Sequence, residues 1–367
     1  MKTKRIFAAV LAAAVSAAML TACGNNADSG INADSISQAS EMDMTDDNDT
    51  SDSESSSADD AEESEDDDEE ESEDEEESEL YDVGPDYVPT DESNFQIVAD
   101  GDNLRITKYI GKEKDVKIPK EIDGRPVIVD SEAFVDNTVI KSVVIPATVP
   151  ESTKNLSHKI KFDNSTLEKV TTYTNMVSFS NCTKLKEAEL LYDPYTKSNF
   201  SGYQFDGCTS LEKVSGKVAD FKGDSTFENC QSLTTLDFER IEGWIDYEAF
   251  SGCTSLKEIN LGNIKYICQK AFFNCTSLTS VTVESFADDA YIEPYAFANC
   301  PKLKSFTINS ENVRTSGYSL GYYNITEENY SNPDEYKKVD GFTIYAPKYS
   351  KAQEYANENG FAFEAIS

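Results

Sequence analysis

Residues 249–261 read AFSGCTSLKEINL, residues 271–283 read AFFNCTSLTSVTV, and residues 296–308 read AFANCPKLKSFTI. The three stretches share the pattern F-x-x-C-x-x-L, followed by apolar residues in alternation. The same pattern occurs three more times upstream, so that cysteines stand at 182, 208, 230, 253, 275 and 300, 22 to 26 residues apart. Such a period indicates a solenoid, because a unit of about 23 residues cannot bury its own apolar side and must stack on its neighbours.

Two earlier copies depart from the pattern. AFVDNTVIKSVVIP (133–146) carries Asn137 in place of the cysteine, and KFDNSTLEKVTT (161–172) is one residue short, with Ser165 near that position. The repeat therefore comprises about eight units. In each unit the L-x-x-I-x-L segment has the alternation of a strand with one buried face. The A-F-x-x-C segment has the spacing of a short helical or 3-10 turn, with Phe and Cys on one side.

The repeat resembles the BspA-like subfamily of bacterial cell-surface leucine-rich repeats. Residues 104–127 are similar to that family's β-rich lead-in, and residues 339–366 to its terminal strand–helix–strand cap. The resemblance implies an α/β-type solenoid, a right-handed coil with a parallel sheet on its concave face and short helical or 3-10 turns. It also implies a non-catalytic role in adhesion, with a protein of a host or neighbouring cell as partner. We predict a β-rich cap over 93–130, repeats over 131–310, and a tyrosine-rich segment with a C-terminal cap over 311–367.

The first residues have the form of an export signal. Lys2, Lys4 and Arg5 precede an apolar run that is shorter than the roughly 20 residues of a membrane span. The run ends in Leu-Thr-Ala-Cys, which resembles the bacterial lipobox, whose cysteine is lipidated and becomes the N-terminus. We therefore predict a signal peptide over 1–22 and a diacyl anchor at Cys23, which holds the exported chain on the bacterial membrane facing outward. A plain secretory cleavage site is the alternative.

A strongly acidic segment follows the signal. Residues 24–92 contain 30 of the 69 acidic residues of the chain and no Lys or Arg. With no aromatic residue between Phe7 and Tyr81, this segment cannot bury enough apolar surface to fold, and residues 23–92 are predicted to be a disordered acidic spacer. A weak sponge for divalent cations is the alternative, although no EF-hand spacing is present. The acidic balance of the remainder argues against binding to nucleic acid.

The regularly spaced cysteines admit four interpretations: metal ligands, disulfides, nucleophiles or packing. The single histidine, His158, lies between two poorly matching repeats, and the close pair Cys268 and Cys275 lacks zinc-site spacing. Seven cysteines besides Cys23 are an odd number, so at least one has no partner within the chain. We expect buried free thiols that serve as small apolar spacers, with no catalytic residue, metal or cofactor.

Two surfaces are candidates for binding a partner. One is the polar face of the strands, which is expected to line the concave sheet: Lys169, Thr171, Tyr173, Glu187, Glu189, Lys213, Ser215, Lys217, Thr235, Asp237, Glu239, Glu258, Asn260, Ser280, Thr282, Glu284, Ser305, Thr307 and Asn309. The other is aromatic and suits polysaccharide or a protein: Tyr192, Tyr195, Tyr203, Tyr318, Tyr322 and Tyr323. The polar face is alternatively a solvated surface without a ligand, and the tyrosines alternatively pack inside loops. We expect a monomer.

Overall fold

A computed structural model describes residues 83–147, 159–163, 166–191, 204–324 and 335–366, without the side chains of residues 217–219 and 288–289. The described residues belong to one compact unit, Glu76–Ser367. Several predictions lie outside them: the signal peptide, the anchor at Cys23, most of the acidic spacer, His158, Ser165, Tyr192, Tyr195 and Tyr203. Within the described residues no helix is long and apolar enough to cross a membrane.

The regular secondary structure of the described chain consists almost entirely of strands, joined by turns. In chain order its elements are a 3-10 helix (Glu92–Asn94), β1 (Phe95–Asp100), β2 (Asn103–Tyr109), β3 (Asp115–Lys117), β4 (Glu121–Ile122), β5 (Arg125–Val129), β6 (Ser142–Ile145), β7 (Ile160–Lys161), β8 (Lys169–Thr172), β9 (Val177–Ser178), β10 (Glu187–Leu190), β11 (Lys213–Phe221), β12 (Thr235–Ile245), β13 (Glu258–Ile267), β14 (Ser280–Ile292), β15 (Ser305–Ile308), β16 (Arg314–Thr315), β17 (Tyr322–Asn324), β18 (Tyr336–Lys338), β19 (Thr343–Pro347), α1 (Lys351–Asn359) and β20 (Ala362–Ile366).

One parallel sheet of twelve strands confirms the predicted solenoid. Its strands follow the order β3-β6-β8-β10-β11-β12-β13-β14-β15-β19-β20, and β16 pairs with the far end of β14. The sheet thus begins before residue 131 and continues past residue 310, into both segments predicted as caps. A four-stranded sheet, β1-β2-β5-β4, lies at the N-terminal end, and two small two-stranded sheets join β7 to β9 and β17 to β18.

Each cysteine-bearing turn is bent by one residue in the left-handed region. The backbone N–H of the leucine in F-x-x-C-x-x-L donates to the cysteine carbonyl at 2.9–3.1 Å, an i to i+3 bond of 3-10 type. The residue before the cysteine has φ of 59–75°, which stops the turn from continuing as a helix. That residue is always Asn or Gly, the types that tolerate this conformation: Asn181, Gly207, Asn229, Gly252, Asn274 and Asn299.

A stack of phenylalanine rings runs through the core from coil to coil. Consecutive rings are nearly parallel, within 26°, and their centroids lie 4.7–5.2 Å apart. All members are fully buried: Phe134, Phe162, Phe179, Phe205, Phe227, Phe250, Phe272 and Phe297. The phenylalanine that recurs in every unit therefore packs against its counterparts in the neighbouring units and makes the core continuous.

The six cysteines of the repeat, here called the cysteine ladder, are buried free thiols, as predicted. Each Sγ lies 2.6–3.3 Å from the carbonyl oxygen of a stacked phenylalanine in the preceding coil, in the geometry of an S–H donor. Cysteine thus combines a small apolar body with a weak donor, which in five of the six cases gives the phenylalanine carbonyl a second hydrogen bond beside the one it accepts from a backbone N–H. Burial raises the pKa of the thiols of Cys208, Cys230 and Cys275 well above its ordinary value.

We expect the ladder thiols to resist alkylation in the folded protein, because the reactive thiolate is both inaccessible and disfavoured. Iodoacetamide should modify none of the six in the native state and all six after unfolding in urea, as read by peptide mass spectrometry. A Glu258→Cys variant, whose thiol would be exposed on the sheet, provides the reactive control. Native modification of ladder peptides within tenfold of that control rate would contradict the expectation.

The C-terminal end is closed by the predicted strand–helix–strand unit, β19-α1-β20. Ser350 caps α1 by accepting from the backbone N–H of Gln353 at 3.2 Å, and Gly360 ends the helix in the left-handed conformation. Tyr355 is buried in the cap, and its hydroxyl lies 3.1 Å from the Leu320 carbonyl oxygen. The helix thus covers apolar residues of the last coil.

In the described part of the sheet, the ladder of backbone hydrogen bonds is missing over the first halves of β12 and β13. β12 pairs with β11 from Thr235 onward, but it pairs with β13 only over Gly243–Ile245. Leu236 and Phe238 of β12 are half-buried, whereas the corresponding Ile259 and Leu261 of β13 are buried. The coil interface between β12 and β13 is therefore weaker on the concave side than its neighbours.

Candidate functional site

The predicted polar residues lie on one face of the sheet, in register from β3 to β12 and again from β13 to β19. The first outward position of each strand forms one row, and the residue two positions later forms a second. The first row runs through Asp115, Ser142, Lys169, Glu187, Lys213 and Thr235, and then through Glu258, Ser280, Ser305 and Thr343. The second runs through Lys117, Val144, Thr171, Glu189, Ser215 and Asp237, and then through Asn260, Thr282, Thr307 and Tyr345. Both rows alternate with buried residues, so they face away from the core.

Every predicted residue of this face whose side chain is described is exposed or half-buried. Glu239, Glu284, Asn309 and Tyr173 stand at the third outward position of their strands, next to the two rows. The Lys217 side chain lies outside the described part. The structure therefore brings these residues together on one surface, here called the concave face.

The N-terminal half of the concave face carries ion pairs between neighbouring strands. Lys169 Nζ lies 3.2 Å from Glu187 Oε2, and Lys213 Nζ lies 2.7 Å from Asp237 Oδ2. Thr171 Oγ1 donates to Glu189 Oε2 at 3.0 Å. These exposed pairs contribute little to stability, but they give Lys169 and Lys213 partners inside the chain.

The C-terminal half is rich in hydroxyls and carries carboxylates without a counter-ion. Ser280 and Ser305 are neighbours in the first row, and Thr282 and Thr307 are neighbours in the second. Among the described residues, Glu239, Glu258 and Glu284 form no salt bridge. The concave face as a whole therefore has a surplus of negative charge.

A cleft of about 290 Å³ lies at the N-terminal end of the concave face, which the sequence did not predict. The segment Val83–Tyr87, here called the strap, forms one wall. The other wall is formed by Lys117, Val144, Thr171 and Tyr173. The Tyr87 hydroxyl donates to the Ile118 carbonyl at 2.8 Å, which fixes the strap against the first strand. Nothing in the local sequence indicates this contact, because it joins positions 31 residues apart.

The predicted aromatic patch is only partly on the surface. Tyr318 and Tyr323 are half-buried, but Tyr322 is 7% exposed and its hydroxyl donates to Asn359 Oδ1 at 2.8 Å. Tyr322 must therefore be removed from the patch, because it packs edge-on against Phe361 of the cap. Tyr318 stacks on Tyr336 at 4.6 Å, so a face of its ring is already covered.

A second aromatic row was missed by sequence analysis. Trp244 stacks on Tyr266 at 4.3 Å, Tyr266 is in register with Tyr291, and the Arg314 guanidinium lies 5.6 Å from the Tyr291 ring centroid. The row lies on the distal halves of β12–β14, away from the concave face. Its sequence signature was visible, since each aromatic residue stands six positions before the stacked Phe of its unit.

Carboxylates that are half-buried or buried along the turns have raised pKa values. Burial, reinforced by the negative charge of Asp224, raises the pKa of Asp246 to about 6. Burial likewise raises the pKa of Asp206, Glu228 and Glu293. Among the described residues, no three His, Cys, Asp or Glu side chains are grouped so that they could hold a metal ion.

We expect the folded state to become more stable as the pH falls from 7.5 to 5. Asp246 has a folded pKa of about 6 against an ordinary value of 3.8, so its penalty is present above pH 6 and declines as the pH falls through 6. The difference corresponds to at most about 3 kcal/mol. Asp246→Asn should raise the free energy of unfolding in urea at pH 7.5 by about 1–3 kcal/mol and flatten its pH dependence. Glu258→Gln, at an exposed carboxylate, should change neither the free energy of unfolding nor its pH dependence. An Asp246→Asn variant that is less stable than the wild type at every pH would refute the expectation.

The comparison with protein families agrees with the architecture described above. The family model of the BspA type leucine rich repeat region matches residues 112–222 and 222–341, in six copies. The comparison with curated proteins gives no match. A leucine rich repeat protein of T. pallidum is 20% identical, with 76% of this chain and 100% of that chain covered and a TM-score of 0.32. A leucine-rich repeat protein from Bacteroides ovatus is 15% identical (77% and 100% covered, TM-score 0.29), and a leucine rich cell surface protein from Faecalibacterium prausnitzii is 16% identical (72% and 72%, TM-score 0.25).

Proposed function

Because this chain belongs to the family of BspA-type leucine-rich-repeat proteins, we propose that it is a non-catalytic cell-surface protein that binds another protein through its concave face. The observation that carries the proposal is the in-register pair of outward rows on the parallel sheet. A rigid surface of this kind, built from consecutive repeats, is the usual binding surface of a solenoid. The expected consequence is adhesion to a host or neighbouring cell.

The test is capture of surface proteins by the full-length chain and by variants that obstruct the concave face. Asn260→Trp combined with Thr307→Trp places two large side chains on exposed or half-buried outward positions. Ser255→Trp combined with Ser277→Trp is the matched control, at half-buried turn positions outside the two rows. The proposal requires a partner that the first variant loses at least tenfold and the control retains. Equal capture by both variants would exclude the concave face.

We further propose that the chain is exported and held on the membrane by lipid at Cys23. The support is the sequence Leu-Thr-Ala-Cys after a basic and apolar leader. Metabolic labelling with an alkyne fatty acid should tag the wild-type chain, and Cys23→Ser should abolish the label and release the protein into the medium. An unlabelled but membrane-bound wild-type chain would refute lipidation.

Polysaccharide binding is the less favoured alternative. Sugar rings stack on exposed aromatic faces, but Tyr295, Tyr318 and Tyr336 stack on one another with centroids 4.6–6.0 Å apart. Their mutual contacts leave mainly edges and hydroxyls for a ligand. A glycan array with the full-length chain is the direct control, and a glycan that binds independently of the concave variant would reverse this preference.

A further inference from the structure

The last strand of the parallel sheet, β20 (Ala362–Ile366), has an open outer edge within the described chain. We propose that this edge is a docking site for a partner protein, which pairs an extended segment with β20 as a further strand of the sheet. The site lies at the C-terminal end of the solenoid. It goes beyond the binding proposed for the concave face and does not depend on it.

Backbone groups along this edge have no partner among the described residues. β20 pairs with β19 in an unbroken parallel register from Ala362 to Ile366, and with no other described strand. The N–H and C=O groups of a parallel strand point alternately to its two neighbours, so alternate groups of β20 point to the open side. Ala362, Glu364 and Ala365 are exposed, so α1 does not cover the strand. Because a row of unpaired backbone groups is a template for another strand, the edge selects an extended chain.

The core-facing side of β20 is also uncovered. Phe363 pairs with Ile344 of β19, and Ala365 pairs with Ala346. Ile344 and Ala346 are fully buried, whereas Phe363 is half-buried and Ala365 is exposed. The two residues of β20 therefore lack the covering strand that β20 itself gives to β19. Since apolar side chains would cover them best, the partner segment is one with apolar residues at alternate positions.

The comparable ends of the two large sheets are protected, and β20 is not. At the N-terminal end, the Thr90 N–H donates to the Lys117 carbonyl of β3 at 2.9 Å, and the Lys117 N–H donates to Thr90 Oγ1 at 2.9 Å. In the four-stranded sheet, the register of β1 shifts between Gln96 and Ile97, as at a bulge, and β4 has two residues. Cover, bulges and short strands are ways in which proteins prevent pairing at an edge. β20 has five residues, no register shift, no Lys and no Pro.

Hydrogen–deuterium exchange of the full-length chain in detergent, read by mass spectrometry, tests the proposal. The probe is the acetylated and amidated peptide LTSVTVES, a copy of residues 278–285, whose valines alternate as the edge requires. It should slow exchange in β20 in a saturable manner, by roughly fivefold or more, and leave exchange in β1 unchanged. The same peptide with Val281→Pro and Val283→Pro should slow neither, because proline has no N–H and does not enter a strand.

A variant of the protein closes the site without changing the length of the strand. Ala365→Lys places a charge on the uncovered core-facing side, a device that natural edge strands use against pairing. The peptide should then no longer slow exchange in β20. Ala99→Lys, at an exposed alanine of β1, is the matched control and should keep the response. Slow exchange in α1 shows that the cap of the Ala365→Lys variant remains folded; if it does not, the comparison of the two peptides decides.

Three results would overturn the proposal: unchanged exchange in β20 with the peptide, an equal effect of the proline peptide, or a full response in a folded Ala365→Lys variant. Slowing of exchange in β20 that grows with protein concentration and needs no peptide would assign the edge to a second copy of this chain and would overturn it as well. Capture of surface proteins through the concave face is tested separately by Asn260→Trp with Thr307→Trp, and neither result decides the other.

Discussion

Replacing Phe250 with alanine is expected to lower the free energy of unfolding by about 3–5 kcal/mol, which is the range for removing a buried aromatic ring. Phe250 is fully buried and stacks on Phe227 at 5.2 Å and on Phe272 at 5.0 Å. The edge of Phe221 also meets it at 5.0 Å. The substitution therefore damages the interfaces on both sides of one coil, in a fold whose stability is the sum of such interfaces.

Urea denaturation followed by circular dichroism measures this loss. Phe363→Ala is the matched control, because that ring is half-buried in the terminal strand and has one neighbouring coil. We expect Phe363→Ala to lower the free energy of unfolding by less than half as much as Phe250→Ala does. If the two substitutions lower the free energy of unfolding equally, the phenylalanine stack is not what holds the coils together. Phe250→Ala combined with Phe272→Ala should cost less than the sum of the single changes, since the two rings share one contact.

Replacing Gly216 with valine is expected to destabilise the protein by about 3 kcal/mol or to prevent folding, because it overfills a close-packed interior. Gly216 lies in β11, opposite Leu190 of β10. A Cβ atom there would lie 2.7 Å from Phe238 Cε1 and would also overlap the Leu190 carbonyl oxygen. The ring can rotate away, but the carbonyl belongs to the backbone of the sheet and cannot move without disturbing the β10–β11 ladder.

Two further variants test the clash at Gly216 and separate the part due to the Phe238 ring from the part due to the Leu190 carbonyl. Gly84→Val, at a glycine with open space around it, should leave stability within about 0.5 kcal/mol. Gly216→Val combined with Phe238→Ala should recover little, because the clash with the carbonyl remains. Full recovery in the double variant would show that the ring alone accounts for the requirement for glycine.

The core and the concave face were predictable because both follow from short periods. The spacing of Phe, Cys and Leu placed Phe250 and Cys253 inside, and the alternation around Ile259 placed Glu258 and Asn260 outside. The left-handed residue of each turn also leaves a signal in the sequence, because Asn or Gly precedes every ladder cysteine. The spacing of the repeat alone does not identify that residue. By contrast, the strap depends on Tyr87 reaching Ile118, a contact set by the folded path of the chain. The burial of Tyr322 likewise depends on Phe361 of the cap, which no local pattern specifies.

The missing backbone ladder between the first halves of β12 and β13 makes this coil junction weaker than the junctions on either side of it. Over Thr235–Arg240 the sheet side of this interface contributes no backbone ladder within the described chain, and the junction relies on the turn side. There the Phe227 N–H donates to the Ala249 carbonyl at 2.7 Å, and Phe227 stacks on Phe250. Because each repeat holds only its neighbours, a junction with fewer sheet bonds than the junctions on either side is a place where a pulled or partly denatured chain can part. The chain would then separate between β12 and β13 into two blocks that each keep one cap.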